Sequence, residues 1–132
     1  MTSAINPSST GLFQLGSGAT LDVSADLGTQ TQIDFLAAGK LAVDKSASFG
    51  INVGTSTYAG PQLQNFAAAD TIDLKDFGFA GAALNYNSST GVLQLSNTAS
   101  QAASLSFQAP SLGAGIFHVA SDGASGVLIT HS

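Results

Sequence analysis

The sequence predicts an all-β domain: a short parallel β-helix with rungs of about 20 residues, followed by an antiparallel β-hairpin cap. Three observations lead there. Apolar residues come in pairs separated by one polar or small residue, which is the period of a half-buried strand. The pairs recur at a fixed spacing through the first half of the chain. The second half carries strand runs flanking glycine-bearing turns. No stretch offers the i, i+3, i+4, i+7 stripe of an amphipathic helix, and 132 residues fit one domain.

Taken in order, residues 1–11 (MTSAINPSSTG) are polar and read as a flexible N-terminal segment. They lack the basic and apolar regions of a secretory signal peptide. The single β domain then spans 12–132, with solenoid coils over 12–80 and the hairpin cap over 81–132. In the coils the pairs are Phe13/Leu15, Leu21/Val23, Ile33/Phe35, Leu41/Val43, Ile51/Val53 and Ile72/Leu74. Phe13 recurs as Ile33, Leu21 as Leu41 and Ile51 as Ile72, a period of about 20 residues throughout. A unit of this size cannot bury its own apolar face, so stacking each pair over its predecessor would make a continuous core. A β-sandwich, with turn signals every ~8–12 residues, is the competing architecture. In the cap, Ala83–Tyr86 and Val92–Ser96 flank Asn87-Ser88-Ser89-Thr90-Gly91 as a hairpin. Ala103–Gln108 alternates with Leu105 and Phe107 on one face. Ile116–Ala120 and Val127–Thr130 flank a second turn at 121–126. Such an end would cover the last rung and its open strand edge.

Composition narrows the function classes. Only 8% of residues are charged, against roughly 25% in ordinary soluble proteins. The acids are all Asp and the bases all Lys, for a net charge of -5. Without arginine the chain lacks the clustered cations of a phosphate-backbone binder, so no nucleic-acid partner is expected. The absence of Cys excludes disulfides and thiolate chemistry. No apolar run reaches the ~18 residues that span a bilayer, so no membrane insertion is expected.

LGSGATLDVSA at 15–25, the F-x-x-x-D-T-I-D-L stretch from Phe66 to Leu74, and FHVASDGASGVLIT at 117–130 resemble a module of large bacterial exported surface proteins. That group includes type I-secreted adhesins and autotransporter-like proteins. The resemblance implies a right-handed parallel β-helix with a β-rich C-terminal cap and a role in surface display or adhesion. It also implies an extracellular or cell-surface location, reached without an N-terminal signal peptide. The nonapeptide that winds calcium rolls, G-G-x-G-x-D-x-U-x, is absent.

Few residues suggest chemistry. Asp70, Asp73 and Asp76 form D-x-x-D-x-x-D, and calcium needs six to eight oxygens around it. On a strand, Asp73 would face away from Asp70 and Asp76, and those two would stand about 20 Å apart at ~3.3 Å per residue. A calcium site therefore needs Asp70 or Asp76 to meet a carboxylate from a neighbouring coil. Asp122, in a Ser-Asp-Gly turn, is a further candidate metal ligand, with His118 nearby in sequence. His118 should face away from Phe117 and Val119, and His131 should lie in a loose chain end. No G-x-S-x-G elbow presents a serine. Asp22 and Asp34 fall on different faces, stacking near Ala42 and Gln14, so they form no glycosidase pair. Tyr58, near Pro61, is the candidate ligand-contacting aromatic. The expectation is a non-enzymatic structural or adhesive module without a catalytic residue or cofactor, meeting surface glycans or sister modules. Self-association through an open solenoid edge is a third mode. A carbohydrate-binding module, or a non-catalytic appendage of a polysaccharide-active enzyme, is the alternative.

Overall fold

The computed structural model describes residues 2–4, 11–16, 18–23, 31–36, 38–46, 49–55, 57–112 and 115–132. It is nearly all β, with two mixed sheets and a single helical turn among these residues. Strands β1 (Thr2–Ala4), β3 (Thr20–Val23), β5 (Lys40–Val43), β7 (Thr71–Leu74), β11 (Phe117–Ser121) and β12 (Val127–His131) form one sheet, in the order β1-β3-β5-β7-β12-β11. Strands β2 (Gly11–Leu15), β4 (Thr31–Phe35), β6 (Gln62–Gln64), β8 (Ala83–Asn87), β9 (Val92–Ser96) and β10 (Ala102–Phe107) form the other, in the order β2-β4-β6-β10-β9-β8. The helical turn α1 (Ala109–Leu112) joins β10 to β11.

The first half of the chain passes alternately from one sheet to the other, and neighbours within each sheet run parallel. Leu21 pairs with Leu41 and Phe13 with Ile33, at the offset read from the sequence. Asp22 pairs with Ala42 and Gln14 with Asp34, also as expected. Because side chains alternate across a strand, this register lines up like faces. Leu21, Leu41 and Ile72 make one buried column, and Val23, Val43 and Leu74 another.

The expected spacing fails after β5. Ile51 does not sit over Ile72, whose partner is Leu41 on β5. The described residues between β5 and β6 leave the sheets as an excursion in which Ile51 bridges Ala59 and stays 56% exposed. Its anchor is apolar: Phe49 and Tyr58 are buried, and the Tyr58 hydroxyl donates to the Phe49 carbonyl at 2.7 Å. Gly50 has a φ of +101°, and a Cβ there would lie 2.5 Å from the Ala59 carbonyl oxygen, so the turn requires glycine. The excursion is held to the outer face of the second sheet, where Gly54 N–H donates to Ser104 Oγ and Gln94 Nε2 donates to the Thr55 carbonyl.

Both hairpins form where the turn chemistry placed them. β8 pairs antiparallel with β9, and β11 with β12. The chain lays down the outermost strand of each sheet first and then folds back inward. Thus β12 closes on β7 antiparallel, whereas β10, expected within an antiparallel cap, runs parallel to β6 with Phe107 opposite Leu63. β1, inside the stretch expected to be a flexible tail, pairs with β3; residues 1 and 5–10 of that stretch lie outside the described residues.

The core fills the space between the sheets. A chain of ring contacts runs through it, from Phe35 to Phe66 (5.1 Å), Phe107 (5.4 Å) and Phe117 (4.9 Å). Such tilted and edge-on pairs add to plain area burial.

Candidate functional site

The Asp70–Asp76 stretch does structural work at the ends of β7. Asp70, 1% exposed, accepts the Gly39 N–H on one oxygen and the Ala67 N–H on the other, each at 2.8 Å. It therefore turns its own corner and ties it to the corner preceding β5. Asp76 accepts the Ser46 N–H with both oxygens, at 3.0 and 3.2 Å, just beyond the other end of β5. Asp122 accepts the N–H groups of Ala124 and Gly126 within its own turn. Among the described residues, no group of three or more His, Cys, Asp or Glu side chains comes together as a metal site.

Asp73 is the unusual carboxylate. It faces outward from β7 yet is only 7% exposed, with Lys40 Nζ 3.7 Å away. Burial, and then the neighbouring Asp122, push its carboxyl above the usual range. Asp122 moves the other way, chiefly because the Ala124 N–H favours its charged form. Beside them, Lys75 meets Asp44 at 3.4 Å and Asp22 at 3.6 Å, and Asp22 above all holds its ammonium charged. Half-exposed pairs of this kind contribute little to stability.

Tyr58 is 7% exposed, and its ring props the excursion rather than facing solvent. Burial pushes its hydroxyl well above the usual value. The open polar groove lies elsewhere, on the outer face of the β8–β9 hairpin. Thr55, Asn85, Asn87, Thr90 and Gln94 line about 250 Å³ there, together with Gly54 and the apolar Val92.

The second concavity lies at the cap, between the two outermost strands β8 and β11. It measures about 360 Å³ and is lined by Leu84, Tyr86, Leu93, Leu112, Phe117 and His131, with Ser88, Gly115 and Ile116 at its mouth. The register explains why it is apolar. Leu105 and Leu93 continue one inward column to Tyr86, and Ala103 and Leu95 continue another to Leu84. In the facing sheet Val119 follows Ile129, and Phe117 lies opposite His131. The inner positions of this last layer are half-buried, because no further strand among the described residues covers them.

His131, expected in a loose end, is the last inward position of β12 after Val127 and Ile129, and is 4% exposed. Its ring lies edge-on to Phe117 at 4.7 Å, and no hydrogen bond to it is seen among the described residues. Burial, with the nearby His118, holds it below the ordinary histidine value of 6.5, so the ring is neutral at neutral pH. Alternation along VLITH carried the signal that places His131 inward. His118 is exposed on the opposite face, as alternation requires, and its Nε2 lies 3.0 Å from Ser132 Oγ.

A comparison with protein-family models finds no match, and a comparison with curated proteins finds none.

Proposed function

We propose that the chain is a non-enzymatic structural and adhesive module of an exported bacterial surface protein. In this reading the paired strands from β2 to β7 are the coils of a short right-handed parallel β-helix, and the hairpins are its cap. The observation that carries the proposal is the register: like side chains are in line from strand to strand, and in the first sheet the antiparallel β12 follows β7. Stacks of this kind are rigid because each layer is buried by the next. The surface of such a rod, poor in charge and rich in Ser, Thr, Asn and Gln, suits broad hydrogen bonding to neutral polymers. The edges at β1 and β2 would receive further coils or sister modules.

A carbohydrate-contacting role is the second reading, favoured by the groove where the amides of Asn85, Asn87 and Gln94 lie beside the apolar Val92. Both belong to one test. The full chain is fixed to beads, and neutral and acidic bacterial polysaccharides are passed over them, with chromatography of the eluted polymer. The expected result is retention of a neutral polymer with its chain length unchanged, weakened by Asn85→Ala, which alters an exposed edge-strand side chain. Shortened polymer in the eluate would replace the proposal with an enzyme. Failure of every polymer to be retained would remove the adhesive role.

A further inference from the structure

We infer that the cleft between β8 and β11 is a binding site for a small neutral molecule with one aromatic ring and a hydroxyl group, of the phenol class. Three features of the site specify that chemistry.

The first is shape. The cleft is the space that one more layer of core would occupy, and its half-buried walls, Leu84, Tyr86 and Phe117, continue buried columns. At about 360 Å³ it falls near the lower end of ligand pockets, roughly 300–1,000 Å³, which suits a single ring with short substituents. Tyr86 and Phe117, their ring centroids 5.0 Å apart and their planes at 56°, put two aromatic rings on the cleft wall for such a ring to pack against.

The second is charge. None of the lining side chains is charged at neutral pH. An ionised ligand would lose its hydration with no counter-ion to replace it, so the occupant is neutral.

The third is hydrogen bonding. His131 lines the cleft, and its ring, in edge contact with Phe117, makes no hydrogen bond among the described residues. The ring nitrogens are not among the fully buried unpartnered atoms, which are Asp22 Oδ1 and Asp73 Oδ1, so they stay open to an incoming group. A neutral imidazole offers one acceptor nitrogen and one N–H donor, and a ligand hydroxyl can meet either. The Tyr86 hydroxyl, also without a hydrogen bond among the described residues, supplies a second polar point in the cleft.

The test is a titration of the full chain followed by side-chain NMR, with 4-methylphenol, toluene and 4-methylbenzoate as probes. Saturable shifts at Tyr86, Ile116, Phe117 and His131 are expected with 4-methylphenol. Toluene, equal in shape without the hydroxyl, should bind about tenfold more weakly, the equivalent of one hydrogen bond. The benzoate should not bind. His131→Phe keeps a ring but removes the nitrogens, and should bring 4-methylphenol down to the level of toluene. Tyr86→Phe, a milder change on an edge strand, should lower 4-methylphenol affinity and leave toluene unchanged, so the test survives a misfolded His131 variant. Equal affinity for 4-methylphenol and toluene, or no saturable shift with either, would overturn the assignment. So would sedimentation showing a dimer that perturbs these same residues without ligand, since the occupant would then be a second copy.

Discussion

Asp70 satisfies two backbone donors from two different corners with one buried carboxylate. An asparagine there keeps one acceptor and turns an amide N–H₂ toward a donor. Asp70→Asn should therefore cost about 2 kcal/mol in a denaturant titration, the range of hydrogen bonds to charged groups. Asp73 has the opposite character. Its folded pKa is raised above the ordinary 3.8, so the native state holds the proton more tightly than the unfolded chain. The stability this brings is complete below 3.8 and is lost as pH rises through the folded value. Asp122, lowered, contributes stability above its ordinary value, which is lost as pH falls through the folded one. Asp73→Asn keeps the shape and can donate to Asp122, so it should melt higher than the parent at neutral pH. That advantage should close in acid below the ordinary carboxylate range; melting curves across pH check both parts.

At the scale of elements, alternation was a guide where a strand carries an apolar pair, but not at β6, whose single buried residue is Leu63, nor at β1. Leu21/Val23, Ile33/Phe35 and both hairpins lie where the period-2 pattern and the turn residues put them. The spacing misled only at Ile51/Val53, whose apolar alternation imitates a strand. Those residues belong to an excursion pinned by Phe49 and Tyr58, and an internal insertion shifts the register without changing local pattern. The direction of β10 was not legible either, because it depends on the chain reaching the sheet edge first and returning. Of the site residues, Asp70 and Asp76 were visible as singular carboxylates. Their distant backbone partners, Gly39 and Ser46, were not. The corrected register has a direct consequence for stability. Leu41→Ala and Ile72→Ala should each cost about 2–5 kcal/mol, as buried large-to-small changes do. They should also couple in a double-mutant cycle, because they touch within one column. Ile51→Ala, exposed on the excursion, should stay within about 0.5 kcal/mol of the parent by the same urea titration.

Across the whole molecule, one continuous apolar core joins the parallel strands to the hairpins, and rings link Phe35 to the cleft at the cap. In the proposed function, a module built in this way is a scaffold in its own right. Its corners are closed by Asp70 and Asp76 bonding backbone N–H groups, work that calcium does in many extracellular repeats. The central claim is that the fold is self-sufficient, and thermal unfolding followed by circular dichroism tests it most directly, on exhaustively chelated protein with and without added calcium. The expected result is a β spectrum that survives chelation and a midpoint that calcium does not move. A midpoint raised by several degrees would mean that the ion binds the native state and that its carboxylates are ligands, contradicting the claim.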